Sequence, residues 1–214
     1  MEVPNSFADM MTPITLVGSS IKLAPLTLAH LDRLCHIGLD PRLWQATTIQ
    51  IQTREQMESY VRAALDAQSA GTALPFVIID NRTGEIVGMT RYHSAVPEHR
   101  RVEIGFTWVA PERQRTTVNT ESKYLLLRHA FEQLGCIRVE FKANAENEQS
   151  RRALLRIGAK EKGTLRNYRL SPSGQMFDLT VFSITSAEWP RVRSNLEAKL
   201  KNAMPLAIHA ELQG

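Results

Sequence analysis

Residues Ile104–Phe131 read IGFTWVAPERQRTTVNTESKYLLLRHAF, and this stretch decides the fold. Gly105 to Val109 is apolar and β-rich, and Pro111 cannot extend a ladder, so a strand is expected to end near Ala110. Thr116, Thr117, Asn119 and Thr120 follow, with side-chain oxygens suited to the unpartnered backbone N–H groups of a helix start. Tyr124, Leu127, Phe131 and Leu134 then recur at helical spacing, and Gly135 supplies the stop. A helix N-terminus preceded by Arg113 and Arg115 makes a phosphate-binding corner, because free amides and the positive end of the helix dipole both favour anions. The same pattern would equally serve an ordinary strand–turn–helix of an α/β core.

Working outward, the pattern predicts a mixed α/β domain. Thr15 to Leu23 offers two short apolar pieces around Gly18-Ser19-Ser20, read as a first strand. Thr27 can cap a helix towards Ile37, Asp40-Pro41 starts a short element, and Thr53 with Gln56 resembles a capping box for a helix to Ser69. Leu74–Asp80, Glu85–His93 and Val102–Ala110 are the second, third and fourth strands, with a turn at Asn81–Gly84. Ile137, Val139 and Phe141 alternate with Arg138, Glu140 and Lys142, so a half-buried fifth strand follows the central helix. A short helix from Asn147 closes at Gly158. Strands near Lys162–Leu170 and Met176–Ile184 are joined by Ser171-Pro172-Ser173-Gly174, and Trp189–Lys201 reads as a surface helix. The expected organisation is an N-terminal arm over 1–13, one domain over 14–203 and a tail over 204–214.

Composition narrows the function classes. The chain has 214 residues, 43% of them hydrophobic, enough for one sizeable core. Its longest apolar runs, such as Ala73–Ile79, are too short to cross a bilayer, and Met1–Met11 lacks a secretion signal, so a cytoplasmic protein is expected. Cys35 and Cys136 suggest neither a metal site nor a disulfide framework; both read as core residues. A net charge of +4 is dispersed without a long basic run, which suits a polyanionic cofactor better than direct nucleic-acid binding. No Ser-His-Asp or Cys-His constellation and no metal-ligand spacing is legible.

The stretch Trp108–Tyr168, WVAPERQRTTVNTESKYLLLRHAFEQLGCIRVEFKANAENEQSRRALLRIGAKEKGTLRNY, resembles the central half of a GNAT-superfamily N-acetyltransferase of the RimJ/RimL-like branch. The likeness extends more weakly from about Ile14 to Leu196. It implies an α+β GNAT fold whose mixed central sheet splays between its fourth and fifth strands, with helices on both faces. It implies acetyl-CoA as cofactor, with the pyrophosphate cradled by a turn of pattern Gln/Arg-x-x-Gly-x-Gly/Ala. Gln114, Arg115, Thr116, Thr117, Val118 and Asn119 occupy that turn, with Thr117 and Asn119 in place of its two glycines. Thr120 completes the corner. Backbone amides do the binding there, and they survive side-chain changes if the turn keeps its geometry. The resemblance also places pantetheine against the backbone of Thr107, Trp108 and Val109.

The implied reaction is direct acetyl transfer to an amine, which needs a base for the amine, a donor for the oxyanion and a proton for the thiolate. Glu103, early on the fourth strand, is the candidate base; Gly105 and Thr107 alternate with it and leave space, while Trp108 alternates away into the core. Its structural alternative is a strand glutamate paired with Arg101 or a neighbour. Asn147-Glu148-Gln149-Ser150 resembles the branch's N-x-x-S segment, in which Asn147 reaches the pantetheine and Ser150 lies near the sulfur as a candidate acid; both could simply start a helix. Tyr168 is the rival acid, since a phenol matches a thiolate better than an alcohol does. The glutamate that some relatives carry after the Gly-x-Leu turn is missing from Gly163–Arg169. Tyr92 and His93 end the third strand near the acceptor side, Trp44 lies between helices that wall that pocket, and His129 reads as a surface or half-buried helix residue. The expected partner is an amine acceptor, either a protein N-terminus or a small molecule, with a homodimer left open. Two alternatives remain: a non-catalytic acyl-CoA-binding protein of the same fold, and a ribosome- or RNA-associated module using His99–Arg101 with Arg113 and Arg115.

Overall fold

The two apolar pieces around Gly18-Ser19-Ser20 fold back on each other as a hairpin, Leu16–Val17 (β1) and Ile21–Pro25 (β2), at the edge of an eight-stranded sheet. The computed structural model describes residues 11–45, 47, 49–170 and 174–203; most of the expected arm, the tail beyond 203 and the Ser171–Ser173 turn lie outside them. The remaining strands are Ala73–Asp80 (β3), Ile86–Val96 (β4), Arg101–Val109 (β5), Arg138–Asn144 (β6), Lys160–Leu170 (β7) and Met176–Thr185 (β8). They lie in the order β1-β2-β3-β4-β5-β6-β8-β7, and every neighbouring pair is antiparallel except β5 with β6. Because β1 and β2 divide the first predicted strand, the predicted fourth and fifth strands are β5 and β6.

Helices cover both faces, as the family resemblance implied. Leu31–Gly38 (α1) and Arg54–Ser69 (α2) pack Leu34, Met57 and Val61 on one face with Trp44, Met89 and Trp108. The Thr53–Gln56 capping box at the start of α2 forms as predicted. Val118–Arg128 (α3), Glu148–Arg156 (α4) and Trp189–Ala203 (α5) cover the other face with Leu126, Leu154 and Leu196 against Phe141 and Phe182. Each buried aromatic or leucine contributes roughly 1.5–3 kcal/mol relative to an exposed one. The α3 pattern runs on through a π-helical turn, His129–Gln133, before Gly135 takes the left-handed φ of 63° that the predicted stop requires. His129 sits in that turn and is buried, correcting the surface reading. Among the described residues no helix is long and apolar enough to cross a membrane.

A β-bulge shapes the middle of the sheet. Met89 pairs with Trp108 and Arg91 with Gly105, so Thr90 faces two residues of β5, Phe106 and Thr107. Phe106 takes a left-handed φ of 51°. The extra residue resets the side-chain alternation beyond it. Thr107 therefore turns to the α3 side, where its Oγ1 meets Thr90 Oγ1 at 2.8 Å and accepts from Lys123 Nζ at 2.6 Å. Trp108 turns to the α1/α2 side and meets Trp44 edge-on at 5.8 Å. The simple period-2 reading, with Thr107 beside Glu103 and Trp108 opposite, is thus overturned, although Trp108 is a core residue as expected. Beside this bulge, β5 and β6 pair only from Arg101 to Glu103 with Arg138 to Glu140, and then part.

Helix α3 carries two buried charges. Glu121 accepts from Ser19 N at 2.5 Å, Ser19 Oγ at 2.9 Å, Ser20 N at 3.1 Å and the Ser20 hydroxyl, joining α3 to the β1–β2 hairpin. Gly18 is required at that junction, since a Cβ there would collide with the carboxylate. Lys123 is 5% exposed, lies 5.7 Å from the centre of the Phe141 ring, and has its pKa lowered by burial to about 7. Unfolded, it holds its proton up to about 10.5. The unfolded state therefore binds more protons between about 7 and 10.5, and stability rises with pH through that window. Below about 7 the full cost of burying the ammonium is carried. Replacing Lys123 by Met should accordingly raise the unfolding free energy at pH 6 by on the order of a few kcal/mol, a gain that shrinks towards pH 10. Urea unfolding across that range checks it; a gain that is flat with pH would show that Lys123 is not desolvated.

Candidate functional site

The phosphate corner forms from backbone. Pro111 ends β5, a short 3-10 turn spans Pro111–Arg113, and Arg115 takes a left-handed φ of 60° before α3 begins. Thr117, one of the two residues replacing glycine, has φ −71° and ψ −17°, and Asn119 lies within the helix. Both conformations are open to any residue, so the missing glycines cost no strain; the unusual backbone falls on Arg115 instead. Thr116 donates its hydroxyl to Arg113 O at 2.6 Å and accepts from Val118 N at 3.3 Å. Among the described residues, the amides of Thr117, Asn119 and Thr120 make no hydrogen bond within the protein. A cleft of about 580 Å³ opens on this corner, lined by Arg115, Thr116, Thr117 and Thr120 together with Arg156 and Lys199. Arg113, expected to join it, is instead held by Asp80 at 2.9 Å. Gln114 turns inward, donating to Val109 O at 3.1 Å and accepting from Gln149 of α4 at 3.2 Å. The Val118 side chain is buried in the core, which leaves only its backbone near the turn.

On the opposite face of β5, at the last residue paired to β6, sits Glu103, 5% exposed. Lys142 Nζ donates to its Oε2 at 2.9 Å, and His93 Nε2 lies 3.6 Å from its Oε1. Parallel pairing explains the first contact: Glu103 faces Glu140, and Lys142 is the next residue on the same face of β6. Antiparallel pairing explains the second, since His93 of β4 lies directly across from Glu103. Gly105 makes room for the imidazole, which a Cβ at that position would strike. Burial, reinforced by Arg91, Lys142, Arg169 and Lys123, lowers the His93 pKa to about 4, so the ring is neutral at pH 7. Burial pulls the Lys142 pKa down, but the Glu103 carboxylate outweighs it and the net shift is upward. The alternative partner considered for Glu103, Arg101, binds Glu140 at 3.3 Å instead.

Strand β7 brings Tyr168 to this group. A left-handed φ of 50° at Asn167, whose amide donates to Asp178 Oδ1 at 2.8 Å, marks an irregularity in the β7–β8 register. Lys142 Nζ lies 5.6 Å from the centre of the Tyr168 ring, which is 45% exposed. Ser150 is held separately, with its amide capped by Asn147 Oδ1 at 2.9 Å at the start of α4. Among the described residues no hydrogen bond or ion pair joins Ser150 to Glu103, His93, Lys142 or Tyr168. Tyr92 points the other way from His93, wholly buried with its hydroxyl donating to Leu126 O. Trp44 packs between Tyr60 and Trp108 and donates Nε1 to Gly38 O at 2.9 Å, which is the packing role expected of it.

Several residues here escaped the sequence reading. Lys142 was visible only as the polar half of an alternating strand; the parallel register that sets it beside Glu103 could not be read. Arg156 and Lys199 come from the end of α4 and from α5, elements with no local motif. Arg91 is a strand arginine whose partners, the Phe106 and Tyr60 rings, depend on the bulge.

Residues 20–160 match the family described as Acetyltransferase (GNAT) domain. Over 102 residues the chain is 33% identical to "Uncharacterized N-acetyltransferase YoaA" of Bacillus subtilis (strain 168), covering 48% of this chain and 56% of that protein. It is 26% identical to "Uncharacterized N-acetyltransferase p20" of Bacillus licheniformis, over 82% of this chain and 98% of that one. Among solved structures, Mycobacterium smegmatis RimJ in complex with CoA-disulfide superposes with a TM-score of 0.75 at 25% identity, covering 88% of this chain and 96% of that one. The bulged fifth strand, the single parallel pair that opens beyond Glu103 and the free helix start agree with these matches: the chain belongs to the GNAT acetyltransferase family.

Proposed function

We propose that this acetyltransferase takes its acetyl group from acetyl-CoA and passes it directly to a primary amine, of a protein N-terminus or a small molecule, as a member of the RimJ/RimL-like branch. The observation that carries the reading is the parting of β5 from β6 beyond Glu103, with unbonded amides at the start of α3 on one side and a buried carboxylate on the other. The residues present fit the cofactor. Arg115 to Thr120 offers amides and a helix N-terminus to the pyrophosphate, Arg156 and Lys199 add positive charge to the same cleft, and the unpaired edge of β5 at Thr107, Trp108 and Val109 is open to pantetheine. Asn147 and Ser150, tied through Gln149 and Gln114 to the phosphate turn, would flank the same arm.

Acetyl-CoA supplies an activated acyl group and a thiolate that leaves. Glu103 receives the proton of the incoming amine, with Lys142 balancing its charge and His93, neutral, lying 3.6 Å from its second oxygen. Tyr168, on the Lys142 side of that group, protonates the departing sulfur, with Ser150 as the rival donor on α4. The altered glycines kept open a protein that binds acyl-CoA without turnover; the ordinary backbone angles at Thr117 weigh against that alternative.

Thr117→Glu should weaken CoA binding by at least roughly tenfold, because it sets a negative charge beside two phosphates. Calorimetry with CoA reads this directly, and unchanged affinity would move the phosphate site elsewhere. In Glu103→Gln, turnover should fall by roughly 10²–10⁴ with CoA affinity nearly unchanged, and the low-pH limb of the rate profile should vanish. Since His93 is already neutral well below pH 6, His93→Gln should introduce no new limb between pH 5 and 8. A Glu103→Gln enzyme as fast as the parent at neutral pH would return Glu103 to a structural role. Tyr168→Phe and Ser150→Ala should each cost no more than about a hundredfold, and the true donor should flatten the high-pH limb. If neither changes rate or profile, water supplies the proton.

A further inference from the structure

Arg91 lies on β4 opposite Gly105, two residues from His93 and on the same face of the sheet. It is only 7% exposed. Its guanidinium carbon sits 3.9 Å from the centre of the Phe106 ring and 5.3 Å from that of Tyr60. Among the described residues, no carboxylate comes within ion-pair distance of it, and Glu103, two residues along the same face of β5 from its partner Gly105, is engaged by Lys142. A guanidinium cannot shed its proton to escape burial, and ring faces offset only part of the cost of taking it out of water. The charge balance of the surroundings points the same way. Arg91 from β4, Lys142 from β6 and Arg169 from β7 all act on the His93 ring, with Lys123 from beyond the sheet, while among the described residues Glu103 is the one carboxylate within ion-pair distance of that ring.

We propose that Arg91 is a specificity-determining residue which binds a carboxylate of the acceptor, so that the acceptor is an amine carrying an acidic group a few bonds away. This rests on the reading of Glu103 as the base of an acetyl transfer. Two residues along a strand span roughly 7 Å. An amine hydrogen-bonded at Glu103 and a carboxylate hydrogen-bonded at Arg91 bridge that span when two to four bonds separate them. An α-amino acid satisfies this with its α-carboxylate, and a peptide beginning with Asp or Glu satisfies it with its side chain. The Phe106 and Tyr60 rings hold the guanidinium plane in place, so little rotamer freedom is lost when the acid arrives.

The test is calorimetric binding to the CoA-saturated protein with two matched pairs of probes. L-leucine against L-leucinamide reads an α-carboxylate, and Asp-Ala-Ala-amide against Asn-Ala-Ala-amide reads a side-chain acid. In at least one pair the acid should bind at least roughly tenfold tighter than its amide. That preference should disappear in Arg91→Met and persist in part in Arg91→Lys, with CoA affinity unchanged in both. Equal binding within both pairs in the parent protein would overturn the proposal without any variant, and so would a preference that survives in Arg91→Met. Should Arg91→Met fail to fold, Arg91→Lys stands in for it: a preference reduced in that variant with CoA affinity unchanged would uphold the proposal, and a preference equal to the parent's would overturn it. Acid preference in binding without acetylation of any probe would sink the role of Glu103 and leave the assignment of Arg91 standing.

Discussion

The site depends on one extra residue in β5. Where Thr90 faces both Phe106 and Thr107, the strand bends, its side chains exchange faces and its edge beyond Glu103 has no partner in β6. A bulged strand twists more strongly than a regular one, and here that coincides with a gap between the only two parallel neighbours of the sheet. The consequences reach outward from there. Thr107 becomes a seat for Lys123, Trp108 joins the aromatic packing under α1 and α2, and Phe106 becomes the plate on which Arg91 rests.

Much of this was legible in the sequence, and the reasons are physical. The Pro111 stop, the helix start near Thr117 and the glycine at 135 are local signals, and each forms at its expected place. Among the described residues, however, Thr116 is the one of the four expected caps whose side chain accepts a backbone amide, from Val118. The capping box at Thr53 and the alternation of Arg138 to Lys142 belong to the same class, whereas Ile137, expected on the buried side, precedes β6 and is exposed. Periodicity failed where a single residue was inserted, because nothing in GFTWV distinguishes a bulged pentapeptide from a regular one. It also failed for His129, since a polar residue on an apolar stripe says little about whether the turn containing it widens and buries it. Charge pairing was the least legible. Arg113 looked like a phosphate ligand beside Arg115 yet belongs to Asp80, and Lys142 looked like a solvated strand residue yet neutralises Glu103. Both outcomes are set by strand register, which a single chain does not spell out.

The two faces of the gap have different electrostatic characters. On the α3 side, positive groups gather at a helix start where phosphates would lie, and the one deep ammonium, Lys123, is poised to lose its proton near neutrality. On the opposite side, Arg91, Lys142 and Arg169 from three strands gather about His93 and Glu103, with Glu140 beside them held by Arg101 and Arg138. On the function proposed above, that asymmetry would separate the demands of holding a polyanion from those of choosing an amine, so that either surface could vary while the strand between them stays fixed.

The junction at Glu121 also bears on how the chain reaches this state. Its carboxylate is held by Ser19 and Ser20, 102 and 101 residues earlier in the chain. Closing a loop of that length costs conformational entropy that no local helix propensity repays, so the contact is non-local in the sense that slows folding. The start of α3 gains its final seat only once the first hairpin has docked beside it. Seating of the helix start is therefore a property of long-range topology and not of the helix alone: its anchors are synthesised a hundred positions before it, so the β1–β2 hairpin is already available when α3 emerges and α3 reaches its final position by docking onto it.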